Sequence, residues 1–183
     1  MSDSQSLPRG FRGAGIAAGI KSSGAQDLAL IVNDGPQLFG TAVFTSNQVV
    51  AAPVTWSRQV VKDHTIAAVL LNSGGANACT GAEGFADTHR SAEKVAEVLS
   101  VSASDTAICS TGLIGVRLPM EAIMNGITTA AGNLHVNSLE DLARAIMTTD
   151  SKPKIARISK NQSSFTGIAK GAGMLAPSLA TML

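Results

Sequence analysis

Apolar residues along this chain fall in short blocks separated by glycine- and asparagine-rich turns, and the spacing changes from block to block. Asp27-Leu-Ala-Leu-Ile-Val-Asn33 is a continuous apolar run closed by Asn-Asp-Gly-Pro, which predicts a strand entering a turn. Thr41–Thr45 predicts a second strand and Pro53–Ser57 a third. Ile66–Leu71 predicts a buried strand that runs into Asn72-Ser-Gly-Gly-Ala-Asn77. From Glu83 to Ser100 the period becomes helical, with Phe85, Ala92, Val95, Ala96 and Leu99 on one stripe. Thr80 and Glu83 have capping-box spacing at its start. Thr106–Ser110 is a further short strand. Pro119 opens a second helix carrying Met120, Ile123, Met124 and Ile127, and Ser138–Asp141 starts a third carrying Leu142, Ala145 and Ile146. Ile155–Ser159 and Ser163–Ile168 are the last two strands, and residues 1–13 are expected to form a loose leader. Helices and strands mixed in this order predict an α+β layered domain, an α/β sandwich rather than a regular βαβ winding.

Composition narrows the classes. With 183 residues the chain suits one domain or slightly more. Apolar residues make up 45%, aromatic residues 3% with no tyrosine, so the core must be built from Ala, Val, Ile, Leu and Met. Charged residues are 15%, against roughly 25% in an average soluble domain. Such a surface is either polar and neutral or faces another chain. The net charge of +1 leaves no footprint for nucleic acid or an anionic membrane. The strongest apolar run, Ile66–Leu71, is too short to span a bilayer. The first residues lack signal-peptide character, so the expected location is cytoplasmic. Cys79 and Cys109 have no metal-like spacing and are expected to be buried thiols. His64, His89 and His135 are scattered, with His89 expected as a surface or boundary residue of its helix, and no metal site is expected.

Candidate chemistry sits where regular elements end. In Cys109-Ser-Thr-Gly-Leu-Ile-Gly115, Thr111 and Gly112 can aim a hydroxyl and a backbone N–H at one point, as an oxyanion hole requires; the same residues also make an ordinary turn. Met147-Thr-Thr-Asp150 ends the third helix with three polar side chains, suited either to a ligand or to their own backbone. Lys170, between an apolar strand and Gly171-Ala-Gly173, either holds a carboxylate or is simply solvated; the surrounding glycines do not have phosphate-loop spacing. Near the end, Thr181 follows the small residue Ala180. A threonine becomes a nucleophile most directly when its own backbone amine is freed to take the hydroxyl proton, which requires cutting the bond before it. The plain alternative is a helix or strand running out.

Together these segments resemble the ornithine acetyltransferase family, the bifunctional glutamate N-acetyltransferases of arginine biosynthesis. The resemblance is carried by Cys109–Gly115, Ala145–Asp150 and Gly167–Leu183, with support from Ala51-Ala-Pro53, Asn72–Ala78 and Leu118-Pro-Met120. One departure is Gly75, where the family usually has asparagine. The resemblance implies the layered fold shared with N-terminal-nucleophile-like aminopeptidases, of which this chain is the N-terminal half. It implies a precursor that cuts itself between Ala180 and Thr181, so that residues 14–180 belong to an α chain and 181–183 begin a β chain. Thr181 would be nucleophile and substrate contact, Thr111 and Gly112 the oxyanion hole, and Thr148 and Lys170 substrate-binding residues. N-acetylornithine and glutamate are the implied substrates, the β chain the implied partner in an α2β2 heterotetramer, and no cofactor is implied. Acetyl-CoA serves some members as a second acetyl donor. The 183 residues alone are expected to be inactive and poorly folded. Two other readings stay open: a related self-processing amidohydrolase or aminopeptidase, and a non-catalytic remnant that binds a partner chain.

Overall fold

The computed structural model describes residues 6–161, 163–172, 182 and 183. Four strands form a mixed sheet in the order β1 (Phe11–Ile16), β2 (Leu28–Asn33), β3 (Ala68–Gly75) and β4 (Thr106–Leu113). The first two pairings are antiparallel, and β3 and β4 run parallel. A parallel pair needs a long crossover, and α2 (Gly81–Leu99) provides it. α3 (Met120–Gly132) packs beside α2 on the same face of the sheet, and α4 (Leu139–Ala145) lies on the other face against β1 and β2. A separate hairpin follows, β5 (Lys154–Lys160) with β6 (Ser163–Ala169).

Strand alternation builds two cores. Leu28, Leu30, Val32, Ala68, Leu70 and Ile108 point toward α2 and α3, meeting Val95, Ile123 and Ile127. Ala29 and Leu71 point the other way, onto Leu142 and Ile146 of the α4 region. A strand covered on both faces reads as a continuous apolar run, which is why Leu28–Val32 shows no polar alternation. The result is the expected α+β layered arrangement. Among the described residues, no helix is long and apolar enough to cross a membrane.

Several elements differ from expectation. Pro53–Ser57 lies in a helix, α1 (Ala52–Val60), not a strand. Proline is tolerated in a first turn because its missing N–H would have had no helical acceptor there. Tertiary contacts then hold α1 along the outer edge of β4. Ser57 Oγ donates to Ile108 O at 2.8 Å and accepts from Ile108 N at 2.9 Å, while Trp56 Nε1 donates to Thr106 O at 2.9 Å. These bonds satisfy an edge that would otherwise present unpaired backbone groups. Thr41–Thr45 forms no strand; Val43 is 98% exposed, so the segment has no layer to pack on. β1 begins at Phe11, inside the segment expected as leader, and Leu7 N already donates to Val136 O at 2.7 Å.

At the start of α2 the capping box does not form. Thr80 Oγ1 donates to Asn77 Oδ1 at 2.7 Å, and Glu83 pairs with Arg117 instead, at 3.1 Å. The buried face of α2 keeps part of the expected stripe, Ala92 and Val95, with Leu99 packed against the same core. It runs through Gly84, Asp87, Thr88, Ser91, Ala92 and Val95, while Phe85 is exposed and tilts against Trp56. Asp87 can be buried because Arg117 grips both its oxygens at 2.9 Å. Cys79 is exposed rather than buried. Cys109 lies on the sheet, where burial pushes its thiol up to about 11.

Candidate functional site

The parallel pair β3–β4 ends in two glycine segments that touch. Gly112 has φ +127, and a Cβ there would come within 2.5 to 2.8 Å of the Gly74 and Gly75 backbone. Only glycine permits both that conformation and that approach. Gly74 also has positive φ, and the ladder shifts register between Gly74 and Gly75. Such a bulge interrupts the ladder and re-aims the groups beside it. Thr111 precedes Gly112 in full burial and pairs in register with Ser73.

Polar side chains lock this end of the sheet. Ser110 Oγ donates to Asn72 Oδ1 at 2.5 Å, and Asn72 Nδ2 donates to Gly75 O at 2.9 Å. Ser73 Oγ donates to Ala145 O at 2.5 Å, joining β3 to the last residue of α4. Met147–Asp150 follows α4 closely, so the Ser73–Ala145 bond sets the Thr148 segment at the same end of the molecule as Thr111 and Gly112 of β4.

There Lys170, directly after β6, is 7% exposed and donates from Nζ to Thr148 Oγ1 at 3.1 Å. Its backbone N donates to Leu183 O at 3.0 Å. Asp150 organises the group: its carboxylate accepts from Thr148 N at 3.2 Å and Gly171 N at 2.8 Å, and pairs with Lys154 Nζ. Burial would raise the Asp150 pKa, but the Lys154 hydrogen bond and the two amides outweigh it and hold the carboxyl at about 2. Burial lowers the Lys170 pKa, opposed by Asp150 and reinforced by Lys154. A half-sequestered ammonium beside a hydroxyl can bind a carboxylate.

The structure thus brings Thr111, Gly112, Thr148 and Lys170 to one end of the fold, whereas Ala180 and Thr181 lie outside the described residues. The bracing roles of Asn72, Ser73, Ser110 and Asp150 were not assigned from sequence, although all four lie in the segments Asn72–Ala78, Cys109–Gly115 and Met147–Asp150. A hint was present in the Asn72–Ala78 segment, where polar and glycine residues replace an apolar strand end. Among the described residues no group of three His, Cys, Asp or Glu could hold a metal ion.

The model of the ArgJ family matches residues 12–183. The arginine biosynthesis bifunctional protein ArgJ of Streptomyces coelicolor is 57% identical over 175 residues, covering 96% of this chain and 46% of that protein. The protein of the same name from Mycobacterium tuberculosis H37Rv is 54% identical over 184 residues, again 96% of this chain and 46% of its own length. The chain therefore spans about half the length of the curated relatives it matches. A crystal structure of ornithine acetyltransferase complexed with ornithine, from Mycobacterium tuberculosis, superposes with a TM-score of 0.92 at 48% identity, covering 100% of this chain and 98% of that one. A second, of the arginine biosynthesis bifunctional protein ArgJ from Bacillus halodurans, gives 0.82 at 33% identity, with 96% and 92% covered.

Proposed function

Since this chain belongs to the ArgJ family, we propose that it is the α portion of an enzyme that moves an acetyl group from N-acetylornithine to glutamate in arginine biosynthesis. The observation that carries the reading is the half-sequestered Lys170 ammonium on Thr148, set at the same end of the fold as Thr111 and Gly112 of β4. An amino-acid substrate needs a carboxylate partner close to the reacting carbonyl, and this arrangement offers one.

The mechanism is a ping-pong acyl transfer that follows cleavage between Ala180 and Thr181. Thr181 Oγ attacks the acetyl carbonyl while the freed Thr181 amine, with an ordinary pKa near ~8, takes the hydroxyl proton. The oxyanion forms against the Thr111 hydroxyl and the Gly112 N–H. Collapse returns the proton to the departing ornithine nitrogen and leaves acetyl-Thr181. The glutamate amine then attacks this ester and loses its proton to the Thr181 amine, which passes it to Thr181 Oγ as the acyl C–Oγ bond breaks, so that N-acetylglutamate departs and the free hydroxyl is restored. Thr148 and Lys170 hold the substrate. The exchange needs no cofactor; acetyl-CoA is a second donor to be assayed. The rest of the site comes from a β chain in an α2β2 assembly in the cytoplasm.

Two comparisons support processing and substrate class. The Mycobacterium tuberculosis crystal chain is matched over nearly its whole length, although the curated protein from that species is about twice as long as the match. That same structure is described as a complex with ornithine. The test is intact mass and acetyl-transfer assay of the protein produced at full family length. We expect one chain ending at Ala180, another beginning at Thr181, and transfer that requires glutamate. Thr181→Ala should give an uncut, inactive protein. Acetate release that ignores glutamate would overturn the assignment.

A further inference from the structure

A second lysine reaches the same end of the sheet. Asp27, fully buried where β2 begins, accepts backbone hydrogen bonds from Ala18, Ile20 and Lys21 at 2.6, 2.7 and 2.9 Å. Those three bonds fold the loop between β1 and β2 over the glycine junction. A Cβ on Gly74 would lie 3.0 Å from Ile20 Cγ2 and 3.3 Å from Lys21 Cγ. Gly74 is the register partner of Gly112, so the Lys21 stem rests beside the candidate oxyanion hole.

The ammonium of Lys21 is not simply left to solvent, as it would be if the stem alone mattered. Its Nζ donates to Gln26 O at 2.8 Å. Gln26 is itself fixed, with Nε2 donating to Gly15 O and to Asp141 Oδ1, both at 3.1 Å. The Asp27 oxygens are occupied by amides, and Lys21 forms no ion pair among the described residues. One carbonyl satisfies one of three ammonium donors, which leaves two for a ligand. Burial lowers the Lys21 pKa, while the fields of Asp27 and Asp150 counter the shift. Asp150 therefore lies within electrostatic reach of both Lys21 and Lys170.

We propose that Lys21 is a substrate-binding residue that holds the α-carboxylate common to N-acetylornithine and glutamate, alongside Lys170. This rests on the acetyl-transfer reading above. In both substrates the α-carboxylate is one carbon away from the nitrogen that carries or receives the acetyl group. Whatever binds it must sit next to the oxyanion hole, which is where the Gly74 contact places Lys21. The distal ends cannot share a lysine, because one is an ammonium and the other a carboxylate. A cation positioned by the glycine junction consequently serves the shared end.

The experiment uses the assembled enzyme, this chain together with the C-terminal half of the family's length. Lys21→Met keeps the stem over Gly74 and removes the charge. Because the contact exists in ground and transition states alike, KM for both substrates should rise by about tenfold to a hundredfold while kcat changes by less than about threefold. The preference for N-acetylornithine over its carboxamide should shrink by the same factor, and Lys21→Arg should retain most of it. A merely structural lysine would not alter that preference. Should Lys21→Met fail to assemble, Lys21→Gln is read on the same preference. Active variants with the wild-type acid-over-amide preference would overturn the assignment of Lys21 and leave the acetyltransferase standing. A wild-type enzyme that transfers no acetyl group would overturn both.

Discussion

At Gly112 the backbone does what no side chain could, because φ +127 and the contact with Gly74 and Gly75 leave no room for a Cβ. Gly112→Ala should therefore destabilise the enzyme by about 2–4 kcal/mol, combining left-handed strain with overpacking, as read from the urea midpoint. Thr111→Ala tests the neighbouring donor: kcat for acetyl transfer should fall by about 10²–10³-fold. Asp150 gives a pH signature. Its folded pKa of about 2 lies below the ordinary value near ~3.9, so its contribution is complete above the unfolded pKa and is lost as pH falls through the folded one. Asp150→Asn should cost about 1.5–3 kcal/mol at neutral pH. The gap between variant and wild type should close between about pH 4 and pH 2, measured by urea unfolding across that range. Thr111, Gly112, Thr148 and Lys170 were all legible as candidates in the sequence, since each interrupts an apolar pattern. Their bracing by Ser73 and Asp150 was not, because those hydrogen bonds join positions 72 and 21 residues apart.

Among the elements, α1 shows how a local pattern is overruled. Val54, Thr55 and Trp56 favour a strand by residue type, yet Ser57 and Trp56 bind the β4 backbone only when their segment is helical. Ser57→Ala removes a hydroxyl that both donates to and accepts from Ile108, leaving a buried edge unsatisfied. We expect about 1–3 kcal/mol of destabilisation, with hydrogen exchange at Ile108 N faster than in wild type. The α2 stripe was legible only in part, for a related reason. Besides Ala92 and Val95 its buried positions are Gly84 and the polar Asp87, Thr88 and Ser91, and hydrophobic spacing cannot anticipate that Arg117, from the β4–α3 connection, neutralises Asp87. The strands β2, β3 and β4 were readable because burial on both faces leaves an unbroken apolar run.

For the molecule as a whole, the two faces of the sheet are unequally covered. α2 and α3 seal one side, whereas beyond α4 the other opens into an apolar groove of about 210 Å³ lined by residues such as Phe11, Ile31, Phe39, Ile66 and Val69. The chain also spans only about half the length of its curated relatives. We expect the 183 residues by themselves to show no acetyl transfer and to regain it when the C-terminal half is supplied, as followed by N-acetylglutamate formation.

The sequence by itself determined the class of fold and the residue types available for chemistry, because hydrophobic periodicity, turn glycines and proline act over a few neighbouring positions. Family membership was legible for the same reason, in contiguous segments such as Cys109–Gly115 and Ala145–Asp150. Only the tertiary structure decided which strands are neighbours and that α1 guards the β4 edge. It alone set Lys21 against Gly74 and Lys170 against Thr148. Those outcomes depend on contacts between distant positions, where packing space and the need to satisfy buried polar groups outweigh local preference.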